Sequence, residues 1–420
     1  MPRPPESTAA NLHSNAEEFV PRKTWWLCGL LFLATVLNYV DRQVLALTAE
    51  KVIAEFSLTK EAFGEVISAF RYSYGAVQIA GGWLVDKYGP RVVYPLAVGL
   101  WSLAGILTAS ANSVRMLSGF RFLLGIGEAF NWPSALKVTH RLLPARDRPL
   151  ANGIFNSGAA AGAMLAPVIV TATSVFLGWR AAFVVTGSLG SLWIVGWLWY
   201  TRKLSSQLGG SLFSLREIFR VMVGIVCRRN FWMLAFAAIL VNGVSFFLAD
   251  WIPLYLKTER GLSFAAGNAL SVVVYGSLEV GNITVGLFVK RLVTLGFSVR
   301  SARNRALFVS CVLMSSGTIV GLISSTFGAI LCLVFVAIGV ASFLVIYHTL
   351  VQDLEPSYVG TSSGLLGGLG NMTYGYLSPH IGRLSDLNQT GSIFLLIGLL
   401  PWLAFFAISR GMKTHTERDA

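Results

Sequence analysis

Six ionisable side chains stand inside long apolar runs: Asp41, Arg42, Arg71, Arg121, Glu128 and Glu279. A charge at a helix centre in a bilayer costs about 2.5–3.5 kcal/mol on insertion scales, so such residues are paired, functional or both. Three carboxylates match three guanidiniums, which predicts pairing around a wet cavity. Arg121, Gly125 and Glu128 follow at i, i+4 and i+7 and share one helix face, with Gly125 leaving room for another helix or a ligand. Asp41 and Arg42 diverge by about 100° on a helix, so one faces the helix of Glu128 and the other the cavity. Arg71, Tyr74 and Gln78 share a second face. A guanidinium holds a carboxylate through two parallel hydrogen bonds. Tyr74, Gln78, Asn156 and Asn371 are candidates for hydroxyl recognition, which an apolar pocket lacks. Structural alternatives also fit: an interfacial Asp41–Arg42 pair, a structural Arg121–Glu128 pair, plain pairing of Arg71 and Glu279, or helix–helix hydrogen bonds by the four polar residues.

The elements that position these groups are membrane spans. Of 420 residues, 54% are hydrophobic and 13% charged, against roughly 25% charged in soluble domains. The apolar residues recur in runs near the roughly 20 residues that cross hydrocarbon. About twelve spans are predicted, at 25–47, 63–85, 92–112, 116–137, 150–172, 180–200, 231–256, 267–290, 305–325, 327–350, 358–382 and 391–409. With both ends inside, 23 of the 33 Lys and Arg lie on the cytoplasmic side and 7 outside, a strong positive-inside bias. The domains expected are a disordered cytoplasmic tail (1–24), a six-helix bundle (25–200), a cytoplasmic linker (201–230), a second six-helix bundle (231–409) and a tail (410–420). The polar start has no apolar core of a signal peptide. The net charge of +13 sits in the connections, so topology accounts for it better than nucleic acid does. Cys28, Cys227, Cys311 and Cys332 have no metal-ligand or disulfide spacing. The five histidines are scattered, and no P-loop glycine pattern is present. A metal site, a membrane-embedded enzyme or sensor, and ATP-driven transport are therefore all disfavoured.

Gly82-Trp-Leu-Val-Asp86-Lys87 resembles Gly286-Leu-Phe-Val-Lys290-Arg291, and Ile126-Gly127-Glu128-Ala129 resembles Ile338-Gly339-Val340-Ala341. Gly153 and Pro167 likewise match Gly364 and Pro379. Two related halves with a site between them at the midplane characterise many secondary transporters. Gly82, Asp86, Lys87, Gly89 and Arg91 together resemble the loop motif between helices two and three of the major facilitator superfamily. Asn38-Tyr39-Val40-Asp41-Arg42, and Arg121 to Pro133, resemble the anion:cation symporter family, whose members take up hexuronates, galactonate or glucarate with protons. Gly153-Ile-Phe-Asn156-Ser157-Gly158 is similar to its sugar-acid branch. The resemblance covers nearly the whole chain and weakens after residue 230. Segment 291–305 carries no recognisable motif, and Arg71 and Glu279 depart from the family pattern.

The resemblance implies an all-α membrane protein of two pseudo-symmetric six-helix bundles, the major facilitator fold. It implies a transporter rather than an enzyme, with Asp41 and Glu128 as proton sites beside Arg121, and the motif loop as cytoplasmic gate. Arg42, Tyr74, Gln78, Asn156 and Asn371 are assigned to the substrate, and Arg71 and Glu279 to the cavity, facing each other. Burial favours the neutral acid and a nearby arginine the carboxylate, so moving the arginine moves the proton. The expected partners are a small organic anion, protons and lipid, with no cofactor beyond the proton gradient. A monomer in the inner membrane is expected. A proton-coupled exporter of drugs or other solutes is the rival reading; it would have a more apolar cavity and fewer arginines.

Overall fold

The structure is a computed structural model that describes residues 22–143, 148–204, 206–210, 215–354 and 359–411. The expected first tail up to residue 21, and the final tail from residue 412, lie outside the described residues.

Among the described residues every regular element is a helix. The first six spans are α1 (Arg22–Leu47), α3 (Lys60–Tyr88), α4 (Pro90–Thr108), the pair α5 (Val114–Glu128) and α6 (Asn131–Leu142), α7 (Arg148–Phe176) and α8 (Trp179–Thr201). Short α2 (Ala49–Phe56) links the first two. Helix α9 (Leu215–Val226) occupies the connection read from sequence only as a polar linker. Then come α10 (Arg229–Asp250) with short α11 (Ile252–Thr258), α12 (Phe264–Thr294), α13 (Val299–Met314) with one-turn α14 (Gly317–Val320), α15 (Thr326–Gln352), α16 (Val359–Asp386) and α17 (Thr390–Gly411). Among the described residues, eight of these helices are long and apolar enough to span a bilayer by composition alone. The polar-faced α3 and α16 are not among them.

Local chemistry sets the ends. Thr59, Ser113, Ser263, Ser298 and Ser325 each cap a helix start by accepting a backbone N–H from the first turn. The fourth span breaks at Ala129–Phe130, just ahead of Pro133, which has no N–H to continue the ladder. Gly89 joins α3 to α4 at φ +80°, a conformation that disfavours any side chain, and an added Cβ would lie 2.4 Å from the Leu208 carbonyl.

Glycines set how closely the spans approach. Gly127 of α5 packs on the α4 backbone, with an ideal Cβ 2.8 Å from Trp101 N; Gly339 of α15 packs the same way on α13, 2.7 Å from Ser310 O. The repeat seen in sequence is thus a repeat of packing. Between the two sets of six, α3 lies along α16 and α7 along α12. At the end that charge bias places outside, Lys60 pairs with Glu259 at 3.4 Å, and the backbone N–H groups of Lys60 and Glu61 each donate to Asp386 at 3.0 Å. Asn268 of α12 donates to Thr171 of α7 at 2.9 Å. At the opposite, inner end, Asp86 pairs with Lys137 and Arg303 with Asp353, each within one set of six. The end that charge bias assigns to the outside is closed.

Gly64 sits in that closure: an added Cβ would lie 2.5 Å from the Ser378 carbonyl of α16. Gly64→Ala is expected to prop the outer end open and to increase thiol labelling of a cysteine placed at Asn268, in a chain with Cys227 replaced by serine. Gly127→Ala, which clashes within one set of six, should lower the melting temperature without that labelling. Equal labelling of the two variants would show that Gly64 plays no part in closure.

Candidate functional site

One buried ring organises the centre. Phe70 of α3 has three guanidinium carbons around it: Arg42 at 5.3 Å, Arg71 at 5.6 Å and Arg121 at 4.9 Å. The ring's negative face offsets some of their mutual repulsion. It can reach them because Gly125 lets α5 lie against the Phe70 carbonyl and Ser73. Around this ring, Arg42 Nε donates to Glu128 Oε2 at 2.8 Å, and Arg42 Nη2 to Asn38 Oδ1 at 3.2 Å. Tyr39 and Tyr74 flank the same guanidinium at 5.1 and 4.8 Å. Glu128 is fully buried, whereas the Arg42 side chain keeps 14% exposure. Arg42 is thus the member of the pair that an incoming anion can touch.

The structural Arg121–Glu128 pair offered as an alternative does not form: Glu128 of α5 turns to Arg42 of α1. Residues seven apart on one helix lie about 10 Å apart along the axis, too far for direct contact in the absence of a bend. No protein acceptor reaches Arg121 Nε or Nη1, although Arg121 is buried. Asp41 is also buried, and no protein donor reaches either oxygen; Thr186 of α8 adjoins it without a hydrogen bond. An interfacial Asp41–Arg42 pair is therefore not what forms.

The expected Arg71–Glu279 contact is likewise replaced. Arg71 Nη2 donates to Asp250 Oδ2 at 2.7 Å, and Nη1 to Asn371 Oδ1 at 3.2 Å. Asn371 in turn donates to Gln78 Oε1 at 3.3 Å. Phe246, 4.0 Å from the guanidinium, and Tyr374, at 5.2 Å, enclose it. The reason is placement: α3 runs against α16 with α10 beside it, whereas α12 packs on α7 and α15. Glu279 accepts from Asn282 of its own helix at 3.1 Å, and lies near enough to Tyr39 to act on it electrostatically. Asp250 went unnoticed in the sequence because it ends an apolar helix, where an acid passes for interfacial. Asn156 stands apart. It is exposed, on the side of α7 opposite Gly158 and Gly162, which pack on α1, and shares no hydrogen bond with the cluster.

The motif loop folds as a unit. Asp86 pairs with Lys137 of α6, and Lys87 lies over the Trp83 and Tyr88 rings at 5.0 Å each. The Arg91 backbone N–H donates to Leu208 O at 3.4 Å, while Gly82 has open space around it. On the outer surface Glu55 accepts from Arg180 and Trp179, which hold its carboxyl below the usual range. Lys257 of α11 donates to the last carbonyl of α1, Leu47 O, at 2.6 Å. Burial pushes its ammonium down to about 7, with Lys51 adding to the effect and Glu50 opposing it.

Two sets of six spans closed at one end, with arginines and carboxyl groups gathered between them, have the architecture of a membrane carrier. The chain belongs to the Major Facilitator Superfamily, whose family model matches residues 31–375. It is 29% identical over 413 residues to a D-galactonate transporter of Escherichia coli, covering 91% of this chain and 95% of that one. It is 26% identical over 410 residues to a probable sulfoacetate transporter of Cupriavidus necator, covering 90% and 92%. Its fold matches that of a bacterial homologue of the lysosomal transporter Spinster, solved inward-facing and unoccupied, with a TM-score of 0.71, 19% identity and coverage of 93% and 98%.

The Arg71–Asp250 pair is buried and joins the two sets of six. Arg71→Met or Asp250→Leu alone is expected to destabilise the protein by about 3–5 kcal/mol, because each leaves a charge without its partner. The double variant should recover much of that loss. Strictly additive shifts in a double-mutant cycle, or equal coupling of Arg71 to Glu279, would contradict the assignment.

Proposed function

We propose that the chain is a proton-coupled symporter that takes up a small organic anion, a sugar acid or a similarly sized acid, by alternating access. The observation that carries this reading is the 2.8 Å bond from Arg42 to Glu128. The Nε–H that Arg42 gives to the buried glutamate cannot at the same time complete a two-pronged grip on a substrate carboxylate. Protonation of Glu128 releases Arg42 for the anion; loss of the proton reclaims it and expels the anion. Tyr39 and Tyr74 then flank the bound acid, and Gln78 and Asn371 read its hydroxyls. Asp41, buried without a donor, is the second proton site. The relatives named for galactonate and sulfoacetate support small acids as the substrate class. The reading further includes a monomer in the inner membrane with both termini cytoplasmic.

The test is uptake into vesicles of a panel of labelled acids, sugar acids and sulfoacetate among them, under an inward proton gradient. Acidification inside with a matching acid supports symport; alkalinisation inside with drug-like cations supports the export reading instead. Glu128→Gln should keep exchange of labelled for unlabelled acid yet lose accumulation against a gradient. Arg42→Lys should lose both, because an ammonium does not reproduce the planar fork. Gradient-driven accumulation by Glu128→Gln would place the coupling proton elsewhere.

A further inference from the structure

Lys257 lies just beyond the seventh predicted span, on α11, and the transport cycle makes no use of it. It stands at the outer end, yet it is only 5% exposed. Its ammonium reaches from one set of six spans to the other and donates to Leu47 O, the last carbonyl of α1, at 2.6 Å. A carbonyl left over at a helix C-terminus is a favourable acceptor for a cation. It is nevertheless a neutral one, and among the described residues no carboxylate forms an ion pair with Lys257. A second cation stands close by. Lys51 of α2, bonded to Ser174 O at 3.1 Å, shares the Phe264 ring with Lys257, the two nitrogens lying 4.3 and 4.4 Å from its centre. Gly267 of α12 makes room for the lysine stem, since an added Cβ there would lie 2.7 Å from Lys257 Cγ. Closing the outer end therefore takes an amine out of water, against a neutral acceptor and beside another ammonium.

We propose that Lys257 is a pH-dependent latch on the outer end: its neutral amine favours closure, and its protonation favours opening. The charged groups that act on it are Glu50 and Lys51 of α2; α1 and α12 offer it the Leu47 carbonyl and the Phe264 ring. In the closed form burial pushes the ammonium down to about 7, with Glu50 opposing the effect and Lys51 adding to it. Opening returns the amine to water, where a lysine titrates at about 10.4. The form with the lower value gains stability as pH rises, so closure strengthens from about pH 7 upward and is weakest, and constant, below it. An acidic exterior then opens the carrier on the side from which protons arrive. The latch requires only that the outer end opens and closes. It does not depend on proton coupling at Glu128, so the two readings fail separately.

The test is a distance between spin labels on cysteines placed at Ser110 and Ser324, exposed positions at the outer ends of the two sets. Cys227 is replaced by serine in every chain, and the other three cysteines are buried. The full chain is measured without substrate from pH 6 to pH 9. The ratio of open to closed distances should rise by about tenfold per unit as pH falls from 9 to 7, and level off below 7. Lys257→Met keeps the stem without a charge, and Lys257→Arg stays charged throughout. Both should lose that slope, and the arginine variant should be more open than the wild type at pH 9. Any slope that Asp41 or Glu128 contributes is common to the three chains, so the difference between them isolates Lys257. Retention of the wild-type slope by either variant, or an arginine variant as closed as the wild type at pH 9, would overturn the proposal.

Discussion

A carboxyl group buried as fully as Glu128 is costly to ionise without a cation beside it, and the bond from Arg42 to Glu128 supplies that cation within the first six spans. It requires α1 and α5 to come within side-chain reach while α3 fits beside them. Small residues make that approach. Gly125 lets α5 rest on the α3 backbone at Phe70, and Gly158 and Gly162 let α7 rest on α1 at Phe32 and Val36. A larger side chain at any of these positions would separate the helices and leave one charge alone in a medium that does not tolerate it.

The second buried pair has a different job. Arg42 and Glu128 both belong to the first six spans, so moving the two sets apart does not by itself separate them. Arg71 and Asp250 belong to different sets, so their 2.7 Å bond and the Asn371 bond beside it exist only while those sets are closed together at this level. Opening the outer end has to break them. The Phe70 ring touches the arginines of both pairs, so a helix motion that separates the second pair also alters the surroundings of the first. In this way closure of the outer end and the occupancy of Arg42 become physically connected.

Much of this was legible in the sequence, and what was not has a definite cause. Charges inside apolar runs are visible because their insertion cost makes them rare, so Asp41, Arg42, Arg71, Arg121, Glu128 and Glu279 could be named together, although Glu279 bonds only within its own helix. Their pairing could not be read, because helical periodicity gives the face of a residue on its own helix and not the helix that face meets. Glu128 and Arg121 share a face of α5, yet it is Arg42 of α1 that fills the gap. Asp250 was overlooked for the opposite reason: at the end of an apolar helix an acid carries no apparent cost. Helix α9 was missed because residues 201–230 were read for their charge and not for their period, although Ile218, Met222 and Ile225 recur at helical spacing. Of the motif Gly82, Asp86, Lys87, Gly89 and Arg91, the turn at Gly89 was legible, whereas the lysine that Asp86 meets on α6 was not.

The central claim is that Glu128 and the substrate's carboxylate compete for Arg42. It is tested most directly by calorimetric binding of the acid that the vesicle panel identifies, measured from acidic to neutral pH on wild type and on Glu128→Gln. If the competition exists, wild-type affinity falls as pH rises, because the ionised glutamate recaptures the guanidinium, while the variant binds with nearly constant affinity. A variant that keeps the wild-type pH dependence would contradict it.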